Sequence, residues 1–185
     1  MPDYTDNSFR AAIKALEDVV TPALDPSNPL AAEQLRLVTG LLRFLGERRG
    51  ALPAYEAAEL AWYAELAEAL ADVLPGEGQE LRAAAESARG IEPDRVAAAT
   101  SHLATLASQT VRDAASGDEA TRRKVERTVV EMSGDFLDLK RAWFMPFGFE
   151  AAPDGRPSLE GLLARYGSAA VIPGLAKREP GTHKR

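Results

Sequence analysis

Two histidines, His102 and His183, and the absence of cysteine bound the chemistry open to this chain. A di-iron site in a helical bundle needs Glu-x-x-His on two helices. Ala99 and Pro180 stand three residues before the histidines, so that pattern is missing. Thiolate-held zinc is impossible, and a multi-histidine zinc site has too few donors. We therefore expect no metal and no cofactor. A Ser-His-Asp arrangement would have to use His102, since His183 lies in a terminal tail. Its neighbour Ser101 points about 100° away around a helix and cannot be the partner. Neither G-x-x-x-x-G-K-[ST] nor G-x-S-x-G occurs. Gly76 and Gly78, in "PGEGQEL", follow no strand and lack the third glycine of a dinucleotide loop. No residue is assigned a catalytic role, and whether the chain is an enzyme stays open, with a non-enzyme favoured.

Carboxylates offer two places to look. Glu131, Asp135 and Asp138 share one helix face, but Lys124 and Arg127 lie on the same side. That pattern reads as a solvated face rather than a cation site. Glu59 is different, because it falls inside an apolar arc with Tyr55, Trp62, Tyr63 and Leu66. A carboxylate there is desolvated, and its pKa rises unless a cation meets it. Lys140 is the candidate cation. Glu59 and Lys140 are thus candidate polar anchors for a ligand; the plainer alternative is that Glu59 snorkels near the start of its helix.

Aromatic residues are also concentrated. The chain has 12 of them, and Trp143, Phe144, Phe147 and Phe149 fall within "KRAWFMPFGFE", residues 140–150. Trp143 stands seven residues after Phe136, and Phe144 seven after Leu137, so both continue helix stripes and should be core. Phe147 and Phe149 lie beyond Pro146, where no helix organises them. They either fold back over the end of the bundle or form an apolar patch. Trp143, Phe144, Met145, Phe147 and Phe149 are the interface candidates, since aromatics with a nearby Met suit an interface core.

The elements that must position these residues are helical throughout. Phe9, Ile13, Leu16 and Val20 recur at helical spacing, with Asp6 or Ser8 as N-cap. Pro22 should kink or end that helix near Leu24. Asn28 and Pro29 open a second helix that runs to about Arg48. A third spans Pro53 to Leu74, a short fourth covers about 79–89 and ends at Gly90, and a fifth runs from Pro93 to about Ala115. The sixth runs from Asp118 to about Phe144. Pro146, Gly148, Pro153, Gly155 and Pro157 exclude a helix over 146–157, and a last short helix covers about 159–166. There is no strand alternation and no internal repeat.

Helical wheels suggest how these pack. On the second helix, Leu30, Leu35, Leu37, Val38, Leu41, Leu42, Phe44 and Leu45 cover roughly 180°. We expect such a helix to be enclosed on more than one side. The sixth carries two stripes. Val125, Val129, Met132, Phe136, Leu139 and Trp143 form one, and Val130, Leu137 and Phe144 the other. Two stripes imply two packing partners, with shallow crossing angles. The expectation is an all-α bundle of about six helices with a short C-terminal helix, the second and sixth helices central. Residues 1–169 would form one domain and residues 170–185 an irregular basic tail.

Charge and composition narrow the partners. The chain has 185 residues, 45% of them hydrophobic, and a net charge of −6. Phosphate binding wants a concentrated basic face, so no nucleic acid is expected. No run approaches a membrane span, and "MPDYTDN" does not read as a signal peptide. With cysteine absent, a cytoplasmic location is expected.

The stretch "VVTPALDPSNPLAAEQLRLVTGLLRFLGER", residues 19–48, resembles the opening of small uncharacterised bacterial helical proteins. Those proteins are associated with aminoglycoside-phosphotransferase-like kinases and acyl-CoA dehydrogenase-like enzymes. The histidine- and arginine-rich positions that follow in such proteins are not matched by "RRGALPAYEAAELAWYAEL", which lacks the histidines. The resemblance implies an accessory role and no site residues. Two functions follow. One is a non-catalytic bundle that meets another protein chain, in a hetero- or homo-oligomer, as a subunit or partner of a larger enzyme system. The other is a bundle that holds a small apolar or acyl-type ligand.

Overall fold

Pro22 shapes the first element. Its ring crowds the carbonyl four residues back, and it has no N–H to give. In the computed structural model, which describes residues 4–74, 78–148 and 157–167, helix α1 (Tyr4–Ala15) therefore widens into a π turn over Leu16–Val20. The hydroxyl of Thr21 donates to the Leu16 carbonyl at 2.9 Å, and the chain leaves the last short turn with Leu24 extended. Ser8 is no N-cap, because α1 already begins at Tyr4 and the Ser8 hydroxyl bonds back to the Tyr4 carbonyl.

The later helices start and stop where their caps predict. Asn28 caps α2 (Pro29–Arg48) by accepting from the Ala31 N–H at 3.1 Å. A 3₁₀ turn leads into α3 (Leu52–Val73). Helix α4 (Gln79–Ala88) ends before Gly90, which takes φ +67, a left-handed conformation that glycine adopts without strain. Helix α5 (Val96–Ala115) follows a 3₁₀ turn opened by Pro93. Asp118 caps α6 (Glu119–Phe144) through the Thr121 N–H at 3.0 Å. A 3₁₀ turn over Met145–Phe147 ends at Gly148, φ +70, and α7 is Leu159–Gly167. No strand occurs among the described residues, and the chain is an all-α helical bundle.

Contacts divide the chain into two compact units, where the sequence suggested one domain over 1–169. The first unit comprises Met1–Leu52 and Trp143–Asp154, the second Pro53–Ala142 and Gly155–Arg185. The proposed tail, residues 170–185, lies outside the described residues, as does Phe149.

In the first unit α1 lies along α2, with Phe9 over Gly46. Arg43 pairs with Glu17, and Arg49 with Asp6 at 2.7 Å. In the second unit α3 is the enclosed helix. Tyr55, Ala57, Ala58, Leu60, Trp62, Leu66, Ala67, Leu70 and Ala71 are all buried, and they point in most directions around its axis. Val125 and Leu139 of α6 and Leu159, Leu162 and Tyr166 of α7 complete the core of that unit.

Two expectations are corrected here. Helix α2 is not enclosed: among its apolar residues only Phe44 is buried, and Leu30, Leu37, Val38, Leu41 and Leu45 are exposed. The second stripe of α6 is not covered along its length either: Val130 and Leu137 are exposed, and Phe144 is exposed although it stacks on Phe44, whereas Val125, Leu139 and Trp143 of the first stripe are buried. The central role falls to α3, whose buried alanines let neighbouring helices approach closely on several sides.

Candidate functional site

Glu59 and Lys140 meet in the second unit. The Lys140 ammonium donates to the Glu59 carboxylate, with side-chain exposures of 33% and 20%. Lys140 also lies 5.1 Å from the Tyr55 ring centre and 4.9 Å from that of Phe136. Such aromatic faces favour a cation that has lost part of its water. Burial pulls the Lys140 pKa down, but hydrogen bonds to Glu59 and to the Tyr55 hydroxyl outweigh it, and the ammonium titrates above its ordinary 10.5. Burial pushes the Tyr55 hydroxyl up from 10.0. Glu59 and Lys140 therefore satisfy each other, and the pair serves first as a cross-link between α3 and α6.

One helical turn further along α3, Trp62 stacks on Phe136 of α6, with ring centres 3.9 Å apart and planes 9° from parallel. Tyr63 meets both rings edge-on. The Trp62 indole N–H donates to the Met132 carbonyl at 3.1 Å. The sequence placed Trp62 on the correct arc but gave no sign of its partner.

This geometry has a measurable consequence. Lys140→Met leaves Glu59 largely buried without its cation, and should cost about 1–2 kcal/mol near neutral pH. Because the folded-state pKa of Lys140 is raised, its contribution is complete below 10.5 and is lost as pH rises through the folded value. The stability gap between the parent and Lys140→Met should thus narrow above about pH 10.5, measured by urea unfolding. A gap that stays constant through that range would contradict the assignment.

The interface candidates gather in the first unit, at the C-terminal end of α2. Phe44 is the hub: Trp143 meets it edge-on at 6.2 Å, Phe144 stacks at 5.9 Å, and Phe147 lies at 4.4 Å. The Arg48 guanidinium donates to the Trp143 carbonyl at 2.9 Å and lies over its ring. Trp143 is buried, Met145 and Phe147 are half-buried, and Phe144 is exposed. These side chains mostly close over their own unit, with Phe144 at the edge.

Among the described residues, five large apolar side chains are exposed along one face of α2. Leu30 is 68% exposed, Leu37 49%, Val38 47%, Leu41 45% and Leu45 43%. On the helix wheel they occupy an arc of about 100°, with Gln34 near its middle and Arg48, one turn beyond Leu45, at the same angle as Leu30. Leu35, Leu42 and Gly46 are less exposed and lie on another side of the helix. The wheel had already collected all these leucines; it could not say which part of the arc the chain itself would cover.

Other surface features are less telling. His102 is exposed, on the rim of a cleft of about 620 Å³ formed by Glu80, Ala83, Ser87, Ala98 and Ala99 of α4 and α5. Asp135 is held by Arg165 at 2.6 Å rather than facing Glu131 and Asp138 as a cation site. Among the described residues no group of three His, Cys, Asp or Glu side chains could hold a metal ion, and no helix is long and apolar enough to cross a membrane.

Comparison with known proteins adds no relative: no family model, no curated protein and no solved structure matches the chain.

Proposed function

We propose that this chain is a protein-interaction bundle whose docking element is α2. The observation that carries the reading is the stripe of five large apolar side chains, each close to half exposed or more, along one face of that helix. Single exposed leucines are ordinary, but a continuous apolar patch of several hundred Å² on a surface marks a place where something docks. The absence of the usual catalytic motifs from the sequence agrees with a role that needs no chemistry. Residues 19–48, which carry the likeness to bacterial proteins associated with larger enzymes, contain the whole stripe. An accessory subunit of an enzyme system is the setting this favours. The ligand-binding alternative is weaker, since its anchors, Glu59 and Lys140, already bind each other.

Leu37→Ser combined with Leu41→Ser tests the reading. Both sites are exposed, so stability should stay within about 0.5 kcal/mol of the parent by urea unfolding. Native mass spectrometry of protein purified from its own host should show the parent in an assembly and the double variant alone. A parent that is always a lone chain would remove the proposal. A double variant that loses several kcal/mol would instead place these leucines in a core.

A further inference from the structure

Helix α7 owes its order to what it touches. It has nine residues, and a helix that short does not persist in water by itself. Gly161 lowers its helix propensity further. Pro146, Pro153 and Pro157 stand between α6 and α7 in the sequence, so α7 is not the extension of a longer helix. A cap gives it local support: the Gly161 N–H donates to the Ser158 hydroxyl at 3.1 Å.

Docking supplies the rest. Leu159, Leu162 and Tyr166 form one stripe, and all three are buried. Glu160, Gly161, Ala164 and Arg165 lie on other sides and are exposed. Arg165 pairs with Asp135 of α6 at 2.6 Å, both side chains about half exposed. Partial burial pushes the Glu65 carboxyl of α3 up from its ordinary 4.5, and the nearby Arg165 charge opposes that rise. Arg165 therefore answers carboxylates on two helices of the second unit.

The three buried side chains share one face only while the helical turns exist, so melting α7 and undocking it are a single event. That event gives up one apolar stripe and an exposed ion pair of small worth. Opening α3 would give up the nine buried residues of its core. The smaller opening is the more frequent one. We propose that α7 is a strap, which undocks and melts in one step while α3 and α6 stay folded, and so uncovers the apolar seat of Leu159, Leu162 and Tyr166. Docked, it keeps that seat closed. The strap lies wholly in the second unit and does not rest on the reading of α2.

Hydrogen exchange of the full-length chain, resolved by residue, tests this. Amides of residues 162–166 should exchange at least about a hundredfold faster than those of residues 62–70 of α3, yet slower than an unstructured chain. Low urea should speed exchange in α3 and leave α7 nearly unchanged, because the small opening exposes little surface. Arg165→Gln should speed α7 by about two- to fivefold and leave α3 as it was. The measurements on the parent need no variant, so they decide the matter even if Arg165→Gln fails to fold. Amides of α7 protected as strongly as those of α3, or sped in step with them by urea or by Arg165→Gln, would make α7 a fixed part of the core and overturn the proposal. Exchange in α7 at the rate of an unstructured chain overturns it as well, since a strap is docked most of the time.

Discussion

Trp62→Ala is expected to cost about 3–5 kcal/mol of stability. The indole is buried in the second unit, stacked on Phe136 and held by its N–H to the Met132 carbonyl. Removing it opens a cavity that α3 and α6 cannot close, because Lys140–Glu59 pins the same two helices one turn away. Trp62→Phe separates the contributions: it keeps a ring on Phe136 and loses the hydrogen bond, so it should cost much less, about 1–2 kcal/mol. Guanidinium unfolding followed by circular dichroism measures both, and Trp143 remains as a fluorescent probe. If Trp62→Ala changed stability by less than about 1 kcal/mol, the stacked arrangement would be wrong.

Gly78→Ala should destabilise by about 2 kcal/mol, although the backbone there is ordinary. With φ −79 and ψ 4 any residue could adopt the conformation, and lower chain entropy would favour alanine by about 0.4–1 kcal/mol. Sterics decide the sign. A Cβ on Gly78 would stand 2.5 Å from the Ala71 Cα and 2.7 Å from its Cβ and carbonyl oxygen. Ala71 is fully buried on α3, so its backbone cannot retreat. Nearby, Arg82 fastens the start of α4 to the same place, donating to the Ala71 carbonyl at 3.1 Å and to Asp72 at 2.8 Å. Gly134 is the control. Nothing lies within 4 Å of a Cβ there, so Gly134→Ala in mid-helix should stabilise by about 0.5–1 kcal/mol. Two changes of the same chemistry should move the unfolding midpoint in opposite directions; if Gly78→Ala also stabilises, the close approach of α4 to α3 is not real.

Much of the fold was legible because its signals are local. Asn28 before Pro29 and Asp118 three residues before Thr121 each satisfy a helix start with their own side chain. Gly90 ends α4 because the chain needs a positive φ there. Pro22 disturbs α1 as expected, though the π turn that absorbs it was not foreseen. The Glu59–Lys140 contact joins residues 81 apart in the chain. It could be suspected because a carboxylate in an apolar arc demands a cation, and Lys140 was the candidate.

What the sequence determined alone is which residues share a helix face, since that follows from 100° per residue and needs no other part of the chain. It therefore established an all-α chain, the approximate span of the helices after the first, the arc that holds Glu59 and Trp62, and the exclusion of cysteine chemistry. Only the tertiary structure decided which faces are covered. Leucine-rich α2 looked enclosed and is half bare, while α3, with its many small alanines, is surrounded. Burial depends on how closely a neighbour can approach, and alanine faces admit a helix that bulky leucines hold off. The apolar content of an arc measures what a helix could bury; Leu30, Leu37, Leu41 and Leu45 of α2 stay exposed.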